Sequence, residues 1–105
     1  MDIESTSRFR KLTYKQNMHF YKSLFTPGEI KYCLSKADPS QHFAARFCAK
    51  EAVIKALKSR KLACRDIEII SRGNAPSVKI RQNPRLCVQI SMSHTRSTAI
   101  AFAII

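Results

Sequence analysis

The 105-residue sequence has no tryptophan, only two glycines and few acidic residues. Gly28 and Gly73 lie far apart, which excludes the glycine-rich loop with which many nucleotide-binding proteins hold phosphate. The cysteines form no CxxC pair, and no histidine lies at a zinc-finger distance from them, so a thiolate zinc site is not expected. We expect Cys48 and Cys87 to be small apolar fillers in a reducing compartment. The remaining two cysteines are Cys33 and Cys64.

Long apolar runs are also missing. No segment approaches the ~20 apolar residues that a membrane-spanning helix requires, and the first residues lack the apolar core of a secretory signal. The composition, 45% hydrophobic and 25% charged, is typical of a globular domain. We therefore expect one domain over residues 1–105, in the cytoplasm and without a membrane segment.

Positive charge is abundant. Nineteen lysines and arginines against seven acidic residues give a net charge of +12. Such a surface predicts an anionic partner, which could be nucleic acid, anionic lipid, a phosphorylated ligand or an acidic protein. Composition alone favours nucleic acid, but residues 58–101 contain no aromatic side chain on which bases could stack. A small basic nucleic-acid-binding domain therefore stays as an alternative.

The order of the predicted elements indicates an α+β domain. Helix start signals, with a capping residue followed by proline, occur at Thr26-Pro27 and Asp38-Pro39. A basic helical segment at residues 7–15 would turn Phe9 and Leu12 inward. The second half has strand-like segments separated by turn residues, at residues 66–71, 77–82, 86–93 and 98–105. We predict a helical N-terminal half packed on a small antiparallel sheet, a meander of three or four strands, preceded by a very short strand within residues 1–4.

The helix predicted over residues 38–57 is unusual because charges are set into an almost wholly apolar segment. Asp38 is the expected N-cap, with Gln41 in the capping-box position. Glu51 and Lys55 share one side of the helix. They could form an ordinary surface ion pair, or they could face a metal and a phosphate, and the helix alone leaves both open. The other side carries Arg46 and Lys50.

A polar turn is predicted at residues 91–97. Its hydroxyl, imidazole, guanidinium and backbone amide groups could bind phosphate, or the segment could be an ordinary turn between two strands.

Together these segments resemble the holo-acyl-carrier-protein synthases, which are short 4′-phosphopantetheinyl transferases. The resemblance runs in register over nearly the whole chain. The block Arg46-Phe-Cys-Ala-Lys-Glu-Ala-Val-Ile-Lys-Ala56 followed by Ser91-Met-Ser-His94 is its most specific part. The other matching segments are Asp2-Ile3 with Arg8-Phe9, Phe25–Ile30, Asp66–Ile69 and Gly73–Pro76.

The resemblance implies transfer of 4′-phosphopantetheine from coenzyme A to a serine of apo-acyl carrier protein, with release of adenosine 3′,5′-bisphosphate. It makes Asp2 and Glu51 the ligands of Mg²⁺. Glu51 is also the candidate base for the serine, directly or through a bound water, and Lys55 is placed to neutralise or protonate the leaving phosphate. The implied coenzyme A contacts are Arg46, Lys50, Gly73, Asn74, Pro76, Ser93, His94 and Thr95.

The resemblance also implies a homotrimer with active sites between protomers, in which His94 comes from the neighbour of the subunit that supplies the two carboxylates. The acidic acyl carrier protein would dock on a basic face made by Arg8, Arg10, Lys11 and Lys15. The chain departs from the family at Lys58-Ser59-Arg60, where the family has Gly-Thr-Gly. An inactive scaffold with the transferase fold is therefore a further alternative.

Overall fold

The computed structural model describes residues 1–58, 61–73 and 75–105, with Arg72 described for its backbone alone. These residues form four α-helices, one 3₁₀ turn and five β-strands. In chain order the elements are β1 (Asp2–Ser5), α1 (Ser7–Lys11), α2 (Met18–Leu24), α3 (Pro27–Leu34), α4 (Pro39–Leu57), the 3₁₀ turn (Cys64–Asp66), β2 (Ile67–Arg72), β3 (Ala75–Ile80), β4 (Gln89–His94) and β5 (Thr98–Ile104).

The predicted α+β class is confirmed, but the strands form two antiparallel sheets rather than one meander. One sheet has the order β1-β5-β4, and the other is the β2-β3 hairpin. The first strand pairs with the last, with Ile3 opposite Ile100. Residues 81–88 turn repeatedly and contain Pro84, which has no N–H for a strand ladder, so β3 does not continue into β4.

Helix α4 lies at the centre of the domain, as its apolar character predicts. Its alanines at positions 44, 45, 49 and 52 are almost fully buried and bring the helix close to β5, where Ala99 and Ala101 are buried as well. The N-terminal helices cover another side of α4 with an aromatic cluster in which neighbouring ring centroids lie 4.7–6.3 Å apart. The members of that cluster are Phe9, Tyr21, Phe25 and Phe43.

The two predicted helix starts behave differently. Thr26 forms the full capping box, accepting from the Glu29 backbone at 3.3 Å while the Glu29 carboxylate accepts from the Thr26 N–H at 2.9 Å. Asp38 precedes α4 as predicted, but its side chain caps no backbone N–H. Its carboxylate instead accepts two hydrogen bonds from Arg10, at 3.1 and 2.9 Å, and one from Gln41 at 2.9 Å. The bond to Arg10 lowers the pKa of Asp38.

The cysteines are all free thiols. Cys48 is fully buried on α4, as predicted. The prediction for Cys87 is wrong, because this residue is exposed in the irregular segment before β4. Among the described residues, no helix is both long enough and apolar enough to cross a membrane.

Candidate active site

Asp2 and Lys55 form an ion pair that joins β1 to the last turns of α4. The Lys55 Nζ atom lies 2.6 Å from Asp2 Oδ1. The Asp2 side chain is 14% exposed and that of Lys55 57%, so the pair lies at the surface. The hydrogen bond and charge of Asp2 raise the pKa of Lys55, and the charge of Glu51 acts in the same direction. Lys55 is therefore a fixed cation beside two carboxylates.

Glu51 lies one turn before Lys55 on α4 and is partly exposed. In the described part of the chain it forms no salt bridge with Lys55, so the ordinary surface pair is not observed. Its Oε1 atom instead accepts a hydrogen bond from the Cys64 thiol, with 3.4 Å between the two atoms. Burial raises the pKa of Cys64 to about 12, and the nearby carboxylate contributes, so this thiol stays protonated. Sequence reasoning missed Cys64, because nothing in its spacing connects it with Glu51.

The carboxylates of Asp2 and Glu51 fit the chemistry of Mg²⁺. This ion takes hard oxygen ligands and commonly uses one or two protein carboxylates, completing its octahedron with water and substrate phosphate. Over residues 1–58, 61–73 and 75–105 there is no group of three or more histidine, cysteine and acidic side chains able to hold a metal.

Four of the predicted coenzyme A residues line one small pocket of about 200 Å³ between α3, α4 and the two sheets. They are Arg46, Gly73, Pro76 and His94. Ser93 and Thr95 flank His94 at the exposed end of β4, where the Thr95 N–H bonds to the Thr98 carbonyl at 2.7 Å. Asn74 lies outside the described residues.

Arg46 is the charged wall of this pocket. The residue is only 2% exposed. Its Nη2 atom donates to Ser71 Oγ at 3.0 Å, and its guanidinium carbon lies 3.9 Å from the centroid of the Tyr32 ring. Its Nε atom is buried and has no hydrogen-bond partner among the residues that the structure describes. An unsatisfied buried donor costs about 1–3 kcal/mol, more when charged, so Arg46 is suited to an anionic ligand.

Lys50 does not reach the pocket. It is fully buried, where its ammonium pairs with Glu29 and donates to the Leu24 carbonyl at 2.8 Å. Glu29 also accepts from the Ile69 N–H at 2.9 Å, so the pair connects α2, α3, α4 and β2. Burial lowers the pKa of Lys50. The predicted contact with coenzyme A phosphate is not supported, because both charges are satisfied inside the domain.

The predicted docking face is only partly as expected. Helix α1 ends at Lys11, so Lys15 lies beyond it, although both are exposed. Arg8 is exposed too, with its guanidinium carbon 5.5 Å from the Phe47 ring centroid. Arg10 is occupied by Asp38 and by the Arg96 carbonyl, which ties α1 to the rest of the domain. Leu12, predicted to point inward, is 38% exposed because the helix ends before it.

Within one chain, the predicted site falls into two clusters. Asp2, Glu51 and Lys55 lie towards the C-terminal end of α4, and the Arg46–His94 pocket lies towards its N-terminal half. Arg46 and Lys55 are nine residues apart, or about 13 Å along the helix axis.

The outer face of the β1-β5-β4 sheet is apolar along β5 and at Ile3, whereas the outward side chains of β4 are polar. Alternate side chains of β5, at positions 100, 102 and 104, are 39%, 51% and 59% exposed, and the neighbouring Ile3 is 63% exposed. The residues at those β5 positions are Ile100, Phe102 and Ile104.

Comparison with known proteins places these features in a family context. A family model described as the 4′-phosphopantetheinyl transferase superfamily matches residues 1–103. Among curated proteins, the holo-[acyl-carrier-protein] synthase of Thermodesulfovibrio yellowstonii is 42% identical, with 100% of this chain and 94% of the relative covered. The synthase of Chlorobaculum parvum is 37% identical with the same coverage.

Among solved structures, holo-[acyl-carrier-protein] synthase of Helicobacter pylori in complex with coenzyme A superposes with a TM-score of 0.83. Its sequence identity to this chain is 30%, and the match covers 98% of this chain and 95% of that structure. The similarity therefore includes all the elements that carry the two clusters.

Proposed function

The chain belongs to the 4′-phosphopantetheinyl transferase superfamily, and we propose that it is a holo-acyl-carrier-protein synthase that transfers 4′-phosphopantetheine from coenzyme A to a serine of an acyl carrier protein. The observation that carries this proposal is the surface cluster of Asp2, Glu51 and Lys55, in a chain that matches such synthases along its whole length. The match of residues 1–103 to the transferase family favours this function over the nucleic-acid alternative.

In the proposed reaction, the serine oxygen of the carrier forms a bond to the β-phosphorus of coenzyme A as the bond to the bridging oxygen breaks. Glu51 takes the serine proton, directly or through water. Lys55 neutralises the charge that develops on the leaving phosphate, and adenosine 3′,5′-bisphosphate departs. Asp2 and Glu51 are the residues that would hold Mg²⁺, which supplies charge neutralisation of the diphosphate when bound.

We assign the adenosine end of coenzyme A, which lies away from the reacting β-phosphorus, to the pocket lined by Arg46, Gly73, Pro76 and His94. The unpaired Nε of Arg46 supports an anionic occupant there. Ser93 and Thr95 stay in the proposal as neighbours of His94, and Asn74, which lies outside the described residues, stays in it from the sequence resemblance alone. Lys50 is left out, because its ammonium is engaged by Glu29.

A homotrimer is part of the proposal. The exposed apolar side chains of β1 and β5 support it, because an uncovered apolar sheet face is typical of an interface. The separation of the two clusters along α4 agrees with sites that take Glu51 from one protomer and His94 from its neighbour. Sedimentation equilibrium tests this, with Phe102→Asp expected to give monomers and Lys15→Asp, on an exposed site away from β5, serving as control.

The acidic acyl carrier protein is proposed to dock through the exposed cations of the N-terminal segment. Arg8, Lys11 and Lys15 are free to meet a partner, whereas Arg10 shapes the surface by holding Asp38. Such charge complementarity mainly raises the association rate and selects the partner. The four free thiols agree with a reducing cytoplasm.

The test of the proposed function is intact-mass spectrometry of an apo-acyl carrier protein incubated with this protein, coenzyme A and Mg²⁺. We expect a gain of one phosphopantetheine per carrier that is abolished by EDTA. No gain with several acidic carriers, from a folded protein, would contradict the proposal and favour the inactive-scaffold alternative.

A further inference from the structure

Two histidines that are far apart in the sequence lie side by side at the pocket of Arg46. His42 is in the first turns of α4 and His94 ends β4, and their ring centroids are 4.9 Å apart with the planes inclined by 64°. Tyr32 of α3 contacts the other side of His42, with 6.0 Å between the ring centroids. His94 is exposed and His42 is half-buried. The motif that identifies the family assigns no role to His42.

The groups around His42 are mostly cationic. Arg46 lies on the same helix, Lys36 precedes it, and His94 faces it from β4. The one carboxylate that acts on His42 among the described residues is that of Asp38, which is already engaged by Arg10. Burial, followed by these three cationic or ionisable groups, lowers the pKa of His42, and Asp38 acts in the opposite direction. His42 is therefore neutral at neutral pH while the pocket contains no ligand.

The pocket carries independent evidence for an anionic ligand. The Nε atom of Arg46 is buried and has no partner among the residues that the structure describes, although the other side of the guanidinium is held by Ser71 and Tyr32. A phosphate oxygen would give this donor an acceptor and would bring negative charge to the imidazole pair.

Building on the proposed transferase function, we propose that His42 is a specificity-determining residue which takes up a proton when a phosphate group of coenzyme A enters the pocket beside Arg46 and His94. The proton comes from solvent, and no covalent bond changes. A dianion near an imidazole favours the charged form of the ring, so ligand binding and protonation are linked.

The direction of the pH effect follows from this linkage. The pKa of His42 is higher in the bound state than in the free state, so the added affinity is complete below the free-state pKa. It is lost as pH rises through the bound-state pKa. Since the free-state pKa lies below the ordinary value of about 6.5, the effect falls in the mildly acidic to neutral range.

Isothermal titration calorimetry with coenzyme A tests the proposal. Each titration is made at about pH 6 and about pH 8, on either side of the ordinary histidine pKa, and in two buffers with different ionisation enthalpies, which reports the protons taken up. For the wild-type protein we expect proton uptake at the lower pH, and an affinity that weakens by up to about tenfold per pH unit as pH rises.

The His42→Phe variant keeps an aromatic ring between Tyr32 and His94 but cannot titrate. We expect it to lose most of the proton uptake while its affinity near pH 8 stays close to that of the wild type. The difference in proton uptake between this variant and wild type isolates the contribution of His42. If circular dichroism shows that the His42→Phe variant is misfolded, the His42→Gln variant is used in its place. The matched control is His19→Gln, an exposed histidine on α2 that should leave uptake unchanged.

Undiminished proton uptake in a folded His42 variant would overturn the inference. A loss of proton uptake in the His19→Gln control as large as that in the His42 variant would overturn it too. Comparison with 3′-dephospho-coenzyme A identifies the phosphate involved: loss of uptake assigns the 3′-phosphate, and retained uptake assigns the diphosphate. A folded wild-type protein that binds no coenzyme A at either pH would instead overturn the proposed function, which separates the two failures.

Discussion

Two lysine–carboxylate pairs of helix α4 have the same chemistry and opposite surroundings. Lys50 and Glu29 are almost fully buried, and further backbone groups complete their hydrogen bonds. Lys55 and Asp2 meet at the surface, where Lys55 is more than half exposed. Buried charges must be satisfied internally, so the first pair holds the fold together. The second pair is open to water and can exchange its partner for a ligand, which suits it to the proposed chemistry.

The largest expected effect on stability is that of removing one buried partner. Lys50→Met leaves the Glu29 carboxylate inside the domain without its cation. We expect a loss of about 3–5 kcal/mol in the free energy of unfolding, or failure to fold. Urea unfolding followed by circular dichroism measures it, with Lys55→Met as the matched control. A loss below about 1 kcal/mol for Lys50→Met would show that burial does not distinguish the two pairs as argued.

The exposed pair should show the opposite pattern. Lys55→Met is expected to leave the free energy of unfolding close to that of wild type, because exposed ion pairs contribute little. Transfer to the carrier should nevertheless fall by about 10²–10³-fold in kcat, the range typical for losing one group that stabilises developing charge. Steady-state kinetics with saturating carrier measures this. Near-normal kcat, or an effect confined to KM for the carrier, would contradict the role proposed for Lys55.

A substitution at the end of α4 should raise the free energy of unfolding rather than lower it. Lys58, immediately after the helix, has a left-handed backbone with φ of 53°. Side chains other than glycine rarely adopt this conformation, and glycine is favoured at such helix ends. Lys58→Gly should therefore raise the free energy of unfolding by about 1 kcal/mol while removing an exposed charge. Urea unfolding measures this change, with Lys61→Gly, at an exposed site outside the helix, as the control. An unchanged unfolding midpoint for Lys58→Gly would contradict the proposal that the backbone at Lys58 is strained.

The smallest predicted effect concerns the partly exposed pair of Arg10 and Asp38. The folded-state pKa of Asp38 is lowered by Arg10, so its contribution is present above the unfolded-state pKa of about 3.9. It disappears as pH falls through the folded-state value. On acidification, wild type loses this contribution, whereas Asp38→Asn has none to lose. The free energy of unfolding of the variant should therefore fall less than that of wild type as pH is lowered, by no more than about 1 kcal/mol in total. Identical acid-unfolding profiles for the variant and wild type would contradict this.

Much of the fold followed from local sequence signals. The start of α3 was visible in Thr26 and Glu29, and the burial of α4 was visible in its apolar composition. The pairing of β1 with β5 was not, because nothing local specifies a partner about 100 residues away. Asp38 shows the same limit. Its position immediately before α4 was predictable from the sequence, but the hydrogen bonds of its carboxylate with Arg10 depend on tertiary packing.

The candidate site divides in a similar way. A family motif marks Arg46 and Lys50 equally, and the two lie one turn apart on the same side of α4, yet Lys50 pairs with Glu29 inside the domain and Arg46 lines a pocket. The partnership of Glu51 with Cys64 and that of His42 with His94 join residues with no common spacing. Only the three-dimensional structure brings such pairs together.

The most direct test of the proposed active site compares wild type with Glu51→Gln in the intact-mass transfer assay with Mg²⁺. The substitution keeps the size of the side chain and can still meet the Cys64 thiol, so we expect a folded protein with unchanged oligomeric state. We expect a phosphopantetheinylated carrier with wild type and an unmodified carrier with the variant. Modification by Glu51→Gln at a rate near that of wild type would contradict the assignment of Glu51 as base and metal ligand.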